Sequence, residues 1–384
     1  MSKELPLSGL LVLEFSQFMA GPSAGLKLAD LGARVIKIER PGSGEAGRKI
    51  AIKNMFIGED SLVFHTINRN KESYTANLKD PTDLQKVKQL IRHADVMTHN
   101  FRPGVMEKLG LAYAAVRNIH PKLIYADVLG YGKEGPWANK PGQDLLIQSV
   151  SGLTYLTGNK DDAPTPMGLA ASDMFTGGHL VQGILAALIQ REKTGIGCQV
   201  SVSLLESTLD MQFEALTTYL NAEDQAFKRA VKGSAHPFLG APYGVYKTKD
   251  GYLAIAMMPL VKLATALKVE LPSDFKAPSS RFEKRDGIMA FFQKILLGET
   301  SQSWQEKLEA QGIWCAEVLD YDRLLNYEGF KVLGMDQKVF TSDGTKIHTT
   351  RCPVRMDGER IFSGKSAPKA GEHTRAIEKE FDLV

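Results

Sequence analysis

Residues 10–39 read LLVLEFSQFMAGPSAGLKLADLGARVIKIE, and this stretch decides the fold class. Leu10–Phe15 is a short apolar run typical of a buried strand, and Arg34–Glu39 is predicted as a second strand. Between them, Pro22–Leu31 has proline in its first turn and Gly32 behind its last residue, the usual start and stop of a helix. A strand, a helix and a strand in this order predict a right-handed crossover between parallel strands.

The same alternation continues towards the middle of the chain. The later predicted elements are the strands Ser73–Leu78, Asp95–His99 and Lys122–Val128, a helix capped by Asp80-Pro81 and running to Ala94, and a helix near Ala114–His120. Strands separated by single helices indicate a parallel sheet covered on both faces, which is a doubly wound α/β domain. In such sheets ligands bind beyond the carboxyl ends of the strands.

Beyond Ser203 the pattern changes to that of a smaller α+β domain. Leu204–Ala222 predicts a long helix, and the polar residues 223–233 predict a linker. Tyr243–Lys249 and Tyr252–Met257 predict a β-hairpin, with helical segments after it. The tail from Asn326 has no core of its own and is expected to return to the first domain. We therefore predict a large domain, a linker helix, a small domain and a returning C-terminal part over residues 1–203, 204–224, 225–324 and 325–384.

Composition favours a cytoplasmic protein and excludes several function classes. The chain has 384 residues, 43% of them hydrophobic and 24% charged, as in globular proteins of two or three domains. Its net charge of +3 gives no broad basic surface for nucleic acid. Neither a signal peptide nor a membrane-spanning run is evident, so no membrane partner is expected. Cys198, Cys315 and Cys352 fit neither a disulfide framework nor a metal site.

Basic residues recur near the ends of the predicted strands. The loop 16–22 has no G-x-G-x-x-G pattern, so a dinucleotide is poorly supported. Arg40 follows the second strand, where a guanidinium suits a phosphate better than a bare ribose. Further basic residues in comparable positions are Lys71, Lys79, Arg102, Lys108 and Lys140. Each alone is typical of a solvated surface, but their recurrence favours a ligand with several phosphates.

Residues 170–203 contain one carboxylate, Asp173, in a position suited to catalysis. Asp173 lies where a loop gives way to the helix-like Leu180–Lys193, and a short strand follows. A helix start presents unpaired N–H groups and a partial positive charge, so Asp173 is expected to be ionised and directed at a ligand. Such a carboxylate is either a helix N-cap or a nucleophile towards an activated acyl group, and the two roles are compatible.

Eight motifs in order along the chain carry a family resemblance: Ala20–Pro22, Leu28–Ala33, Val35–Gly42, Asn68–Lys71, Asn100–Gly104, Gly130–Pro136, Ser172-Asp173 and Gly371–Thr374. With them the chain resembles the family III CoA-transferases nearly from end to end. The resemblance implies a homodimer of interlocked rings, each subunit having a Rossmann-like large domain and a smaller domain. It also implies that Asp173 is the nucleophile and that coenzyme A thioesters are substrates, with no tightly bound cofactor.

The resemblance also implies a set of CoA-binding residues. The family's contacts fall on Phe18, Met19, Arg40, Ala76, Asn77, Lys79, Asn100, Phe101, Lys108 and Leu109. This agrees with the phosphate-binding interpretation of Arg40 and Lys79. Met19 stands where the formyl-CoA type has glutamine, and that type's glycine-rich lid has no evident counterpart. Formyl-CoA and oxalate are therefore not the expected substrates.

An α-methylacyl-CoA racemase is the alternative within the same superfamily. That enzyme takes its histidine base from a Gly-His-Asp segment, whereas this chain has Gln143 before Asp144. Glutamine cannot act as a general base, so Gln143 favours a transferase. His236 could reach the site from the small domain or serve as a hinge. Gln143, Asp144 and His236 are the possible substrate-pocket residues.

The expected mechanism follows from the need to keep the energy of the thioester. A carboxylate nucleophile does so, because Asp173 can form a mixed anhydride and then an aspartyl-CoA thioester. The N–H groups at the helix start or in a glycine loop are candidates to stabilise the oxyanions. Phe18 and Met19 suit an acyl chain longer than formate, and succinyl-CoA with a dicarboxylate acceptor is the expected pair. Arg48, Lys49 and His236 are candidate partners for a distal carboxylate, although residues of these kinds are more often on a surface or at a hinge.

Overall fold

The computed structural model describes residues 4–222 and 228–383. The chain divides into two compact units, one made of Met1–Ile147, Ala170–Thr208 and Val332–Val384 and the other of Gln148–Leu169 and Leu209–Lys331. The four domain ranges expected from the sequence stay a prediction, and their boundary at 224/225 lies outside the described residues, as does the first part of the expected linker. Among the described residues, no helix is both long and apolar enough to cross a lipid bilayer.

A six-stranded parallel sheet is the framework of the first unit. Its strands are β1 Leu11–Glu14, β2 Arg34–Glu39, β3 Glu72–Thr75, β4 Val96–His99, β5 Ile124–Leu129 and β6 Gln199–Ser203. They lie in the order β3-β2-β1-β4-β5-β6, and every neighbouring pair is parallel. The chain order reverses at β1, so the crevice beyond the carboxyl ends of β1 and β4 is the place where such a sheet binds ligands. The parallel α/β sheet predicted from the sequence is confirmed.

The apolar runs of the sequence become the core of this sheet. Leu13 of β1, Ile36 of β2 and Met97 of β4 are fully buried in one cluster. Asp80 caps the helix Pro81–Ile91 as predicted, since its carboxylate accepts the N–H groups of Thr82 and Asp83. The other helices of this unit are Ala20–Asp30, Leu62–Ile67, Val105–Lys108, Tyr113–Ile119, Ala171–Thr194 and Thr374–Glu380, with 3₁₀ turns at Ala46–Lys49 and Ile52–Asn54.

Short antiparallel ribbons complete the first unit. They are Phe56–Ile57 with Asp60–Ser61, Asp336–Phe340 with Lys346–Thr350, and Arg355–Met356 with Glu359–Arg360. Three further helices contain three of the four points at which the chain passes from one unit to the other: Asp144–Val150, Leu204–Met211 and Glu328–Leu333. The single helix predicted over 204–222 is wrong. It is two helices, Leu204–Met211 and Phe213–Asn221, because Gln212 departs from helical geometry with φ −101° and ψ 15°.

The second unit is built on a three-stranded antiparallel sheet. Gly244–Lys247 and Tyr252–Ile255 form the predicted hairpin, and Cys315–Glu317 adds a third strand that the sequence did not indicate. Leu253 and Ile255 are buried against Phe292 of the following helices. The helices are Leu153–Leu156, Phe213–Asn221, Leu260–Ala266, Ser280–Glu283, Arg285–Leu296, Ser301–Glu309 and Tyr321–Asn326, with a 3₁₀ turn at Ser273–Phe275.

Candidate active site

A cavity of about 770 Å³ opens beyond the carboxyl ends of β1, β4 and β5. Its lining residues all belong to the first unit. They include residues 17–20 after β1, 100–103 after β4, 128–130 at the end of β5, 140–145, Ala170, Asp173 and Leu204. The cavity therefore lies at the strand-order reversal where the topology predicts a ligand.

Asp173 lies in the first turn of the helix Ala171–Thr194, with its side chain at the cavity. Ala170, not Asp173, is the N-cap residue, and its side chain makes no capping hydrogen bond. The N-cap interpretation of Asp173 is therefore wrong, and the carboxylate is left for another role. A helix of this length, beginning at the cavity, directs its positive end towards a bound anion.

Asp144 supplies the cap that Ala170 lacks. Its Oδ1 accepts the N–H of Ser172 at 2.8 Å and the N–H of Asp173 at 3.2 Å. The N–H of Met174 is taken by the carbonyl oxygen of Ala170 at 3.0 Å. These helix-start N–H groups are thus already used, which disfavours them as stabilisers of an oxyanion. A neighbouring glycine loop stays a prediction for that role.

Burial and the charge of Asp144 change the acidity of the candidate nucleophile. Desolvation, followed by repulsion from the Asp144 carboxylate, raises the pKa of Asp173 to about 7. In the ligand-free protein Asp173 is therefore only partly ionised at neutral pH, in contrast to the full ionisation expected from its place at a helix start. The helix dipole favours the ionised form of Asp173. Partial burial and the nearby carboxylate of Asp144 disfavour that form more strongly. Near pH 7 the proton is readily gained or lost.

A close helix contact places Asp173 beside the loop after β1. Gly177, one turn beyond Asp173, packs against the start of the helix Ala20–Asp30. A Cβ at position 177 would lie 2.8 Å from the carbonyl oxygen of Ala20 and 2.0 Å from Oγ of Ser23. Only glycine allows this approach, so the backbones of the two helices fix the nucleophile relative to the loop.

The loops after β1 and β4 are joined by a reciprocal pair of hydrogen bonds. The N–H of Gln17 donates to Oδ1 of Asn100 at 2.8 Å, and Nδ2 of Asn100 donates to the carbonyl oxygen of Gln17 at 2.7 Å. Phe18, Met19, Asn100 and Phe101 all line the cavity together with Asp173. The structure thus brings together four of the predicted CoA-binding residues, and Gln143 and Asp144 line the same cavity.

The other predicted CoA-binding residues follow the carboxyl ends of neighbouring strands but do not line this cavity. They are Arg40 after β2, Ala76, Asn77 and Lys79 after β3, and Lys108 and Leu109 after β4. Arg40, Lys79 and Lys108 are exposed and carry positive charge along this edge. Ala76 is buried, and its N–H donates to the carbonyl oxygen of Glu39 at 2.8 Å. Their contact with CoA stays a prediction.

Several basic residues singled out in the sequence have structural partners instead. Lys71 precedes β3 rather than following its carboxyl end, and its Nζ contacts the buried Glu14 at 2.9 Å. Arg48 is buried and paired with Glu39 and Asp60, each at 2.6 Å. The phosphate role of Lys71 and the carboxylate-binding role of Arg48 are therefore wrong. Arg102 and Lys140, by contrast, do line the cavity.

Lys49 and His236 also lie outside the cavity lining. Nζ of Lys49 donates to the carbonyl oxygen of Glu59 at 2.9 Å. His236 belongs to the second unit, where its Nε2 lies 3.4 Å from a carboxylate oxygen of Glu214. A role for His236 in the substrate pocket stays a prediction. Over residues 4–222 and 228–383, no three His, Cys, Asp or Glu side chains are grouped to hold a metal ion.

A buried ionic network beneath the loop was missed from the sequence. Lys37 and Lys71 enclose the fully buried carboxylate of Glu14, with Nζ–O distances of 2.9 Å. Glu45 joins the network at 3.6 Å from Lys37. The signal in the sequence is Lys37 itself, a lysine inside an apolar strand, because a charge in such a position requires a buried partner.

Comparison with known proteins places the chain in a family. The model of the CoA-transferase family III matches residues 7–374. Succinyl-CoA:glutarate CoA-transferase of Mus musculus is 32% identical over 98% of this chain and 86% of its own length. Acetyl-CoA:oxalate CoA-transferase of Acetobacter aceti is 33% identical over 98% and 96%. The crystal structure of a CAIB/BAIF family protein from Brucella suis has a TM-score of 0.85 and 32% identity, covering 99% of this chain and 100% of that one. The chain belongs to CoA-transferase family III.

Proposed function

We propose that this transferase moves CoA from an acyl-CoA thioester to a carboxylic acid through covalent intermediates on Asp173. The observation that carries the proposal is the placement of Asp173. Its carboxyl group lies in the first turn of a long helix and lines the cavity at the strand-order reversal. Membership of the family supports CoA thioesters as the substrates.

Transfer through Asp173 takes four steps. A carboxylate oxygen of Asp173 attacks the thioester carbonyl, so that a C–O bond forms, the C–S bond breaks and a mixed anhydride and CoA thiolate result. The thiolate attacks the aspartyl carbonyl and releases the donor acid, which leaves an aspartyl-CoA thioester. The acceptor carboxylate then displaces the thiolate as a second anhydride forms. Thiolate attack on its acyl carbonyl gives the new acyl-CoA and restores Asp173.

The binding of CoA is divided between residues of the cavity wall and exposed residues at the carboxyl edge of the sheet. Phe18, Met19 and Phe101 offer apolar surface near Asp173, and Asn100 ties the two loops together. The exposed cations at the carboxyl edge, Arg40, Lys79 and Lys108, suit the phosphates. CoA acts in this proposal as a substrate and not as a resident cofactor. The functional unit is a cytoplasmic homodimer of interlocked rings.

For the exchanged acids we propose a dicarboxylate, with succinyl-CoA as donor. One relative named for succinyl-CoA and glutarate and another named for succinate and glutarate support this choice. Arg102 and Lys140 are the cationic side chains among the cavity-lining residues, which makes them better partners for a distal carboxylate than Arg48. Since another relative is named for acetyl-CoA and oxalate, oxalate belongs among the acceptors to be tested.

The test is a transfer assay combined with trapping of the intermediate. The purified chain is incubated with succinyl-CoA and glutarate, malonate, oxalate or acetate, and CoA esters are separated chromatographically. Hydroxylamine added with donor alone should convert Asp173 to a hydroxamate that peptide mass spectrometry locates. Exchange of the α-proton of a 2-methylacyl-CoA with deuterated water, in the absence of an acceptor acid, would instead indicate a racemase. Gln143 in the cavity wall disfavours that outcome.

A further inference from the structure

Phe18 has a backbone conformation that its own side chain disfavours. Its φ is 64°, in the left-handed region that non-glycine residues rarely occupy. The side chain is 51% exposed at the cavity, so packing of the ring does not hold the backbone there. Some other contact must stabilise this turn of the loop Ser16–Met19.

Glu45 provides that contact. Its Oε2 accepts the backbone N–H of Phe18 at 3.0 Å and that of Gly47 at 3.2 Å. Glu45 is 4% exposed, and its Oε1 lies 3.6 Å from Nζ of Lys37. A buried carboxylate facing an ammonium group is a strong and well-placed acceptor for an N–H donor.

Lys37 connects this contact to the other end of the loop. Its Nζ donates to the carbonyl oxygen of Ser16 at 2.7 Å and to Glu14 at 2.9 Å. One buried lysine therefore holds the start of the loop directly and the N–H of Phe18 through Glu45. No atom of this arrangement belongs to the nucleophile or its helix.

We infer that Glu45 is a positioning residue for CoA binding, because its carboxylate holds the N–H of Phe18 and thereby keeps the loop Ser16–Met19 in the conformation that forms the cavity wall. The inference rests on the proposed function, since it takes CoA as the ligand of this cavity. Without the carboxylate, Phe18 returns to negative φ in part of the molecules. The apparent affinity is the intrinsic affinity multiplied by the fraction of molecules that keep the competent loop, while the bound complex reacts as before.

The first test compares Glu45→Gln with Asp30→Asn. Glutamine has a single acceptor oxygen, so its NH₂ group must face either Lys37 or the N–H of Phe18, and one contact is lost. We expect Kd for CoA and KM for the acyl-CoA to rise about tenfold with kcat nearly unchanged. Asp30 is the matched control, because it is equally buried at 3% exposure and paired with Arg69 at 2.6 Å. A rise of Kd in Asp30→Asn as large as in Glu45→Gln would overturn the inference.

A double-mutant cycle isolates the conformational effect. Asparagine accepts the left-handed region more readily than phenylalanine. In a Phe18→Asn background, Glu45→Gln should therefore raise Kd for CoA only about two- to threefold. An equal penalty in both backgrounds would show that Glu45 acts in some way other than through the backbone of Phe18.

Hydrogen exchange of backbone amides measures the conformation of the loop independently of CoA binding. The N–H of Phe18 should exchange at least about tenfold faster in Glu45→Gln than in the wild type, and not in Asp30→Asn. Should Glu45→Gln fail to fold, Phe18→Pro removes the same N–H and fixes φ near −65°, and the rise in Kd is then expected of that variant. A wild-type chain with a protected Phe18 amide that binds no CoA would refute the proposed function alone. Equal exchange in wild type and Glu45→Gln, or unchanged Kd in Phe18→Pro, would overturn the role of Glu45.

Discussion

Two carboxyl groups of the same unit are held in opposite ways. Glu14 is fully buried, yet Lys37 and Lys71 outweigh the desolvation and keep its pKa below the ordinary value. Asp173 is only partly buried, but desolvation and the neighbouring Asp144 raise its pKa to about 7. Desolvation raises the pKa of both groups, and only Glu14 has neighbouring cations that reverse the shift. Glu14, whose charge is balanced by the two lysines, supports the sheet. Asp173, which has no such partner cation, is available for reaction.

The largest effect is expected at Asp173, the carboxyl group without a partner cation. Asp173→Ala should lower the transfer rate by at least about 10³-fold, because no other carboxyl group takes over the covalent step. Binding of CoA and the folded structure should persist. Steady-state transfer and calorimetric binding check this, with the exposed Glu134→Gln as control. A residual rate of one tenth of the wild type would rule out the covalent mechanism.

The next largest effect is expected at Glu14, the carboxylate paired with two lysines. Lys37→Met removes one partner of a buried ion pair, so the negative charge of Glu14 is no longer fully balanced. The free energy of unfolding should therefore fall by roughly 3–5 kcal/mol. Urea titration followed by circular dichroism measures it. The exposed Lys122→Met is the control and should change the value by less than about 0.5 kcal/mol. Equal stability of the two variants would mean that the network is not what holds Glu14.

A smaller effect tests the like charge beside Asp173. The transfer rate should rise with pH through about 7, as Asp173 loses its proton. Asp144→Asn keeps the oxygen that caps the helix but removes the charge, so the midpoint should move down by about one pH unit. The profile of kcat/KM between pH 5 and 9 measures the shift. An unchanged midpoint would assign the raised pKa to burial alone.

The smallest effect concerns stability against pH. The raised pKa of Asp173 means that the folded state favours the protonated group. The stability that this group contributes to the folded state is therefore fully present below about pH 4 and is lost as pH rises through about 7. Asp173→Asn removes that loss. Relative to the wild type, its Tm should rise on going from pH 5 to pH 8 by roughly 2 °C. A Tm difference that falls over this range would contradict the assigned direction.

The fold was predictable where one local pattern determined one element. The strands predicted at Leu10–Phe15 and Arg34–Glu39 became β1 and β2 within a residue, since the start and stop signals of the helix between them mark where each strand ends or begins. The strand Cys315–Glu317 was missed because it is only three residues long and is set by pairing with a distant strand. Gln212 interrupts a helix for which the sequence has no glycine or proline signal.

The site was predictable in position but not in electrostatics. Asp173 was found from its place at a helix start and from the family motifs around it. Its raised pKa could not be found, because Asp144 lies 29 residues away in the sequence and meets it only through the fold. For the same reason Lys71 and Arg48 seemed available for ligands, although Glu14 and Glu39 already hold them.

The contact at Gly177 limits how this protein can change during evolution. Even the smallest side chain there would collide with the backbone at Ala20, so the spacing between the two helices cannot be adjusted in small steps. Acceptance of a new acid is therefore expected to come from other cavity-lining segments, such as residues 140–145 and the loops after β1 and β4. Variation among descendants of this sequence should collect in those segments, while position 177 stays glycine whatever substrate is adopted.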